Sequence, residues 1–258
     1  MGDFVEHTVK YVVSAGWARI GTFTGIYVDI AFQYYVEHKI AASRRIPRPA
    51  NDKDPTEHDE REGDYEVSAL KAVVFAGLAI EAAIYEVAAE HLTDGFVKDH
   101  LERIDVFTKW TLVPRLICGK SLDRGGPAMN ALWELIQVRN LLVHHKSKPF
   151  PPLGGEYDDD AGCLVNYDME AMQTFRALTA KVTAEGERIV KCAETGIQAI
   201  VCLALELEEL LGVSIPALGH YSAAYKRLRE PDEPIRSLIH ECRKKVADRK
   251  VKARRTSA

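Results

Sequence analysis

Apolar residues recur at three- and four-residue spacing along most of the chain, and no stretch shows the strict alternation of a half-buried strand. The helical pattern is clearest over 66–92, 101–118, 127–145 and 167–211. It also covers "YVVSAGWARIGTFTGIYVDIAFQYYV" at 11–36. Polar, proline- and glycine-rich stretches separate these segments. The pattern predicts an all-α protein. An N-terminal helical extension is expected over 1–43, an acidic linker or loop over 44–65, a helical bundle over 66–212 and a helical basic tail over 213–258.

Residues 11–36 look superficially like a membrane span, but Arg19, Asp29 and Gln33 interrupt them. No run reaches the ~18 uninterrupted apolar residues a span requires. Ser14, Ala18, Gly21 and Gly25 would let another helix approach closely. A packing helix is expected, broken near Gly21–Gly25, and no membrane partner. The next segment, "RRIPRPANDKDPTEHDEREGDY", holds three prolines, a glycine and a dense acid run, the composition of an exposed loop. His58 lies there without metal-ligand spacing. One helix should end near Cys118 and Gly119, and Pro127 should open the next, which runs to about His145. "KPFPPLGGEYDDD" reads as a long loop whose Asp158, Asp159 and Asp160 are better explained as solvated acids than as a cation site. The helix from 167 to 211 should break near Gly186 or Gly196. Its "IVCLALELEELL" alternates with Glu206, Glu208 and Glu209, so it belongs to a core and not to a bilayer. Short helices are expected near 221–230 and 234–250.

Composition, 47% hydrophobic and 28% charged, is that of a soluble globular chain. The net charge of −4 alone indicates no polyanion partner. Its distribution changes the picture: residues 236–258 carry nine Lys/Arg against two acids, a +7 tail on a remainder of −11. Either the tail is a solvated helix face or it meets an acidic partner. Lys244, Lys245, Arg249 and Lys250 are its candidate nucleic-acid contacts, and Lys146 and Lys148 are further ones. Five cysteines (Cys118, Cys163, Cys192, Cys202, Cys242) with no CxxC argue against a disulfide framework or zinc site. With Asp3 and Glu6 where a leader would be basic, they predict a reducing, cytoplasmic setting. No metal and no cofactor are expected.

Two charges stand inside apolar stripes. On a helical wheel, Arg139 lies within about 60° of Leu132, Leu135, Ile136, Leu142 and Val143. Asn140 and His144 share an adjoining polar face with Trp133 and Gln137, and His145 falls on the far side. Glu81 is flanked in the same way by Leu70, Val74, Gly77, Leu78 and Tyr85. An unpaired buried charge costs several kcal/mol, so the two residues are predicted to pair. Alone, such a pair merely fixes the register of two helices. With Asn140 and His144 beside it, the set also suits a phosphodiester: a cation for the phosphate and an imidazole to move protons near neutral pH.

"RNLLVH", Arg139 to His144, resembles the Arg-x4–6-His motif of the HEPN superfamily, in which a polar residue typically follows the arginine. "FAGLAIEAAIYEVA" is similar to the earlier HEPN helix whose acid faces that motif. "KWTLVPRLICGKSLDRGGPAMNALWELIQVRNLLVHHK" resembles the connecting segment and motif helix of prokaryotic members. The resemblance covers roughly 66–148. It implies a HEPN-like bundle that forms a homodimer with two motifs lining one cleft. It also implies metal-independent RNA cleavage by 2′-hydroxyl attack. In that scheme His144 transfers protons, with His145 as the second choice that the spacing allows. Arg139 stabilises the phosphorane, Asn140 orients groups and Glu81 positions Arg139. Members serve toxin–antitoxin, abortive-infection or stress systems, where a neutralising protein partner is expected. Others are non-catalytic modules that bind nucleotide, RNA or protein.

Overall fold

The computed structural model describes residues 23–44, 56–143, 156–158, 163–165, 169–212 and 233–256. Helix α1 spans Thr24–Ser43 and α2 spans Thr56–Leu92. The helical turn α3, Asp94–Phe96, runs into a π turn, Val97–Leu101. Then come α4 (Val106–Cys118), α5 (Pro127–Val143), α6 (Met169–Leu211) and α7 (Glu233–Thr256). Between α5 and α6, β1 (Glu156–Asp158) pairs antiparallel with β2 (Cys163–Val165). The fold is an all-α bundle with that one small hairpin, which the helical pattern did not predict. Tyr157 and Val165 are strand-favouring residues.

Helix α2 is the centre, packing on α1, α4, α5 and α6. It begins at Thr56, so the second half of the expected acidic loop is helical. Glu and Arg are good helix formers, and acids near an N-terminus favour the helix dipole. Residues 45–55 lie outside the described residues. Gly63–Leu92 is long and apolar enough to cross a membrane, yet half of its most apolar window is buried within the bundle, as in a core helix. The expected span-like stretch enters the description only at Phe23, and α1 passes through Gly25 unbroken.

The face of α2 that enters the core is not the stripe around Glu81. Ala69, Ala72, Val73, Ala76, Ala79, Ile80, Ala83 and Ile84 are fully buried, whereas Leu70 and Tyr85 are exposed. Small side chains let neighbouring helices come close, so an alanine-rich face wins over a bulkier one. Helix α6 shows the same logic. It runs through both Gly186 and Gly196 without a break. A Cβ on Gly196 would stand 3.0 Å from Ala76 Cβ and 3.3 Å from Leu135 Cδ1, so this glycine serves the three-helix crossing and not a bend.

Polar contacts fix the outer helices. Tyr35 Oη donates to Glu194 Oε2 at 3.2 Å, and Lys39 Nζ reaches the same oxygen at 3.0 Å, joining α1 to α6. The buried His38 donates from Nδ1 to Tyr65 O at 3.1 Å, and burial holds its imidazole below the ordinary 6.5. The fully buried Trp110 of α4 donates from Nε1 to Ile80 O at 3.3 Å. Helix α4 starts on Asp105, whose Oδ1 accepts from Thr108 N at 2.9 Å, and ends on left-handed Gly119. Burial pushes the Asp105 carboxyl up, but hydrogen bonds from Thr108 and from first-turn amides more than offset this and hold it below 3.8. The basic C-terminal segment is part of the bundle: Leu238, Ile239, Cys242 and Val246 of α7 are buried in the core.

Candidate active site

Helix α5 buries Ala128, Met129, Leu132, Leu135 and Val138, but burial fades over its last turns, and Val143 is exposed. Arg139 sits where the packing gives way. Its stem crosses α2 over Gly77, where a Cβ would stand 3.3 Å from Arg139 Cγ. One turn along α2, Glu81 Oε2 accepts from Arg139 Nη2 at 3.2 Å. The pairing agrees with the wheel positions, but the burial does not. The side chains are 29% (Arg139) and 40% (Glu81) exposed, because Arg139 lies at the open end of α5 and Glu81 lies off the alanine face.

The pair forms one wall of a cleft of about 220 Å³ between α2, the segment after the π turn, α4 and α5. Ile80, Leu132 and Leu135 give it apolar lining, and Asn140 lies at its edge beside Arg139. Lys109 of α4 also lines it. That lysine was not among the residues the sequence pointed to. A signal for it existed: Lys109 stands three residues after Val106 and four before Val113, inside an apolar stripe, as Arg139 does on α5. It is only 7% exposed, and its Nζ donates to Glu102 O at 3.4 Å. The acids Glu102 and Asp105 line the same cleft but are exposed. Chemically, this is a small cavity with one buried ammonium, one guanidinium whose hydrogen bond to Glu81 uses a single nitrogen, and one amide.

Of the other expected site residues, His144, His145, Lys146 and Lys148 lie outside the described residues. Lys244 is exposed on α7. Lys245 Nζ pairs with Glu241 Oε1 at 2.7 Å within the helix. The backbone of Lys250 is helical, and its side chain lies outside the described residues. Arg249 carries two ion pairs. Its Nη2 meets Asp123 Oδ2 at 2.6 Å and its Nη1 meets Glu206 Oε2 at 3.1 Å, so packing consumes the guanidinium. Those three residues line a separate cavity of about 320 Å³ that shares no lining residue with the first. Among the described residues, no three His, Cys, Asp or Glu side chains gather as metal ligands would.

No protein-family model matches the chain, and neither a curated protein nor a solved structure does.

Proposed function

We propose that the chain is a metal-independent endoribonuclease of the HEPN type, acting in toxin–antitoxin, abortive-infection or stress defence in the cytoplasm. One observation carries most of the reading. Arg139 is oriented by Glu81 through one nitrogen at 3.2 Å while lining an open cleft next to Asn140. An arginine has five donors in a planar fork, so such an anchor leaves others for phosphate oxygens. In the proposed reaction the RNA 2′-hydroxyl attacks the adjacent phosphorus and the P–O5′ bond breaks. The products are a 2′,3′-cyclic phosphate and a 5′-hydroxyl. The imidazole of His144, four residues after Asn140 in the sequence, takes the 2′-hydroxyl proton or returns one to the leaving oxygen. Arg139 meets the charge that develops on the phosphorane. A single motif helix offers one wall for a phosphate, so a second copy across a two-fold axis is proposed to supply the other. Trp133 and Val143 leave apolar surface exposed on the same helix.

The basic tail keeps a role in binding RNA through Lys244 and its exposed neighbours, not through Arg249. Truncation at residue 243 would remove Val246 and Arg249 from the bundle, so Lys244→Gln is the informative substitution. It should weaken RNA binding at every sequence without moving the cut.

A second reading has its own support. The chain would then be a non-catalytic module binding a nucleotide, an RNA or a protein partner; three acids facing the cleft with two bases favour the protein partner, because exposed acids repel a polyanion. Total RNA incubated with the full chain in a chelator separates the two. The ribonuclease reading expects cleavage with cyclic-phosphate ends. A His144→Ala chain should lose about 10²-fold or more of the rate, and His145→Ala much less. Intact RNA after exhaustive incubation leaves only the binding module.

A further inference from the structure

We infer that Lys109 is a second cation of the Arg139 cleft, and that the cleft binds a single phosphate-class anion on Lys109 and Arg139 together. The inference begins with the environment of Lys109. An ammonium has three donors. Here the one acceptor among the described residues is a carbonyl at 3.4 Å, beyond the usual range for N–H···O. Among the described residues no carboxylate pairs with it. A lysine that only packs its stem carries its head to water, but this one is 93% buried (7% exposed) against the cleft. A buried cation without a counter-charge is unfavourable, and an anion in the cleft offsets that cost.

The acids do not reverse the sign inside. Glu81 is engaged by Arg139, and Asp105 accepts hydrogen bonds at the start of α4. Glu102 is exposed, so solvent and salt screen it, whereas Lys109 acts through a low-dielectric wall. Those exposed acids disfavour highly charged anions and leave room for a monoanion. The volume points the same way. At about 220 Å³ the cleft is smaller than the roughly 300–1,000 Å³ of pockets for drug-sized ligands. It suits one phosphodiester unit and not a whole nucleotide.

The identity of that anion as an RNA phosphodiester rests on the function proposed above; the anion site itself does not. The test therefore has two arms. In the first, the full chain is melted in rising inorganic phosphate at fixed ionic strength. The midpoint should rise for the wild type, stay flat for Lys109→Met and rise partly for Lys109→Arg. Lys181→Met, on an exposed face of α6 away from the cleft, should behave as the wild type. Lys109→Gln replaces the methionine variant if far-UV circular dichroism shows that one misfolded. In the second arm, a 2′-O-methyl oligoribonucleotide is titrated by anisotropy. Lys109→Met should weaken binding about tenfold and flatten the slope of log K against log salt by about 0.7, one phosphate contact on a single strand. A wild type that ignores phosphate, or a Lys109→Met chain that responds as the wild type does, overturns the site. Phosphate stabilisation lost in Lys109→Met, with no RNA bound or cut by the wild type, upholds the site and removes the ribonuclease reading.

Discussion

Two arginines cross from one helix to another in this bundle, each over a glycine and each onto a glutamate, and they end in opposite states. Arg249 of α7 lies against Gly126 and is held by both Glu206 and Asp123. Glu206 is only 7% exposed. Burial pushes its carboxyl above 4.5 although Arg249 pulls it down. Arg139 of α5 lies across Gly77 and, among the described residues, meets Glu81 alone, with both side chains partly in solvent. The first arrangement consumes its guanidinium as a latch. The second fixes the direction of a guanidinium and leaves the rest of it facing a cleft. A buried pair is weak evidence of function; what distinguishes the Arg139 pair is its unused donors and its company, Asn140 and Lys109.

Three substitutions probe that contrast, in falling order of expected effect. Arg249→Ala strands the buried Glu206 and should cost about 2–3 kcal/mol in denaturant melts, somewhat below a fully buried pair because Arg249 is a third exposed. RNA cleavage per folded molecule should not change. Gly126→Ala places a methyl where the Arg249 guanidinium now lies, so it should act in the same direction with about 1–2 kcal/mol. If neither change destabilises the chain, the latch is not one. Glu81→Ala should cost less than about 1 kcal/mol, since both partners are partly solvated. Its effect should appear in kcat, because Arg139 loses its orientation. A stability loss of several kcal/mol with normal kcat would make the Arg139 pair the structural one.

The helices, the Glu81–Arg139 pairing and the nearness of Asn140 were legible because a charge inside an apolar stripe demands a partner. Burial was less legible. On α2 nearly every face is apolar, and residue size favoured the stripe with Leu70 and Tyr85. The alanine face packs because close helix approach rewards small side chains. Gly196 read as a break for the same reason: the pattern shows a missing side chain but not the Ala76 and Leu135 atoms that require it. Arg249 read as a free cation because its partners, Asp123 and Glu206, are far away in sequence. Lys109 escaped notice because its nearest polar contact is a backbone carbonyl, so no opposite charge in a facing stripe pointed to it.

The account turns on Arg139 and its neighbours doing chemistry with an RNA 2′-hydroxyl as nucleophile. The direct measurement uses an RNA already shown to be cut, remade with one 2′-deoxy residue at the cut site and incubated with the full chain in a chelator. The account predicts that the substituted bond survives while other sites are still cut, and that Arg139→Lys, which lacks the planar fork, cleaves neither RNA at a comparable rate. Scission of the 2′-deoxy bond at the unmodified rate would contradict internal attack and the role given to this cleft.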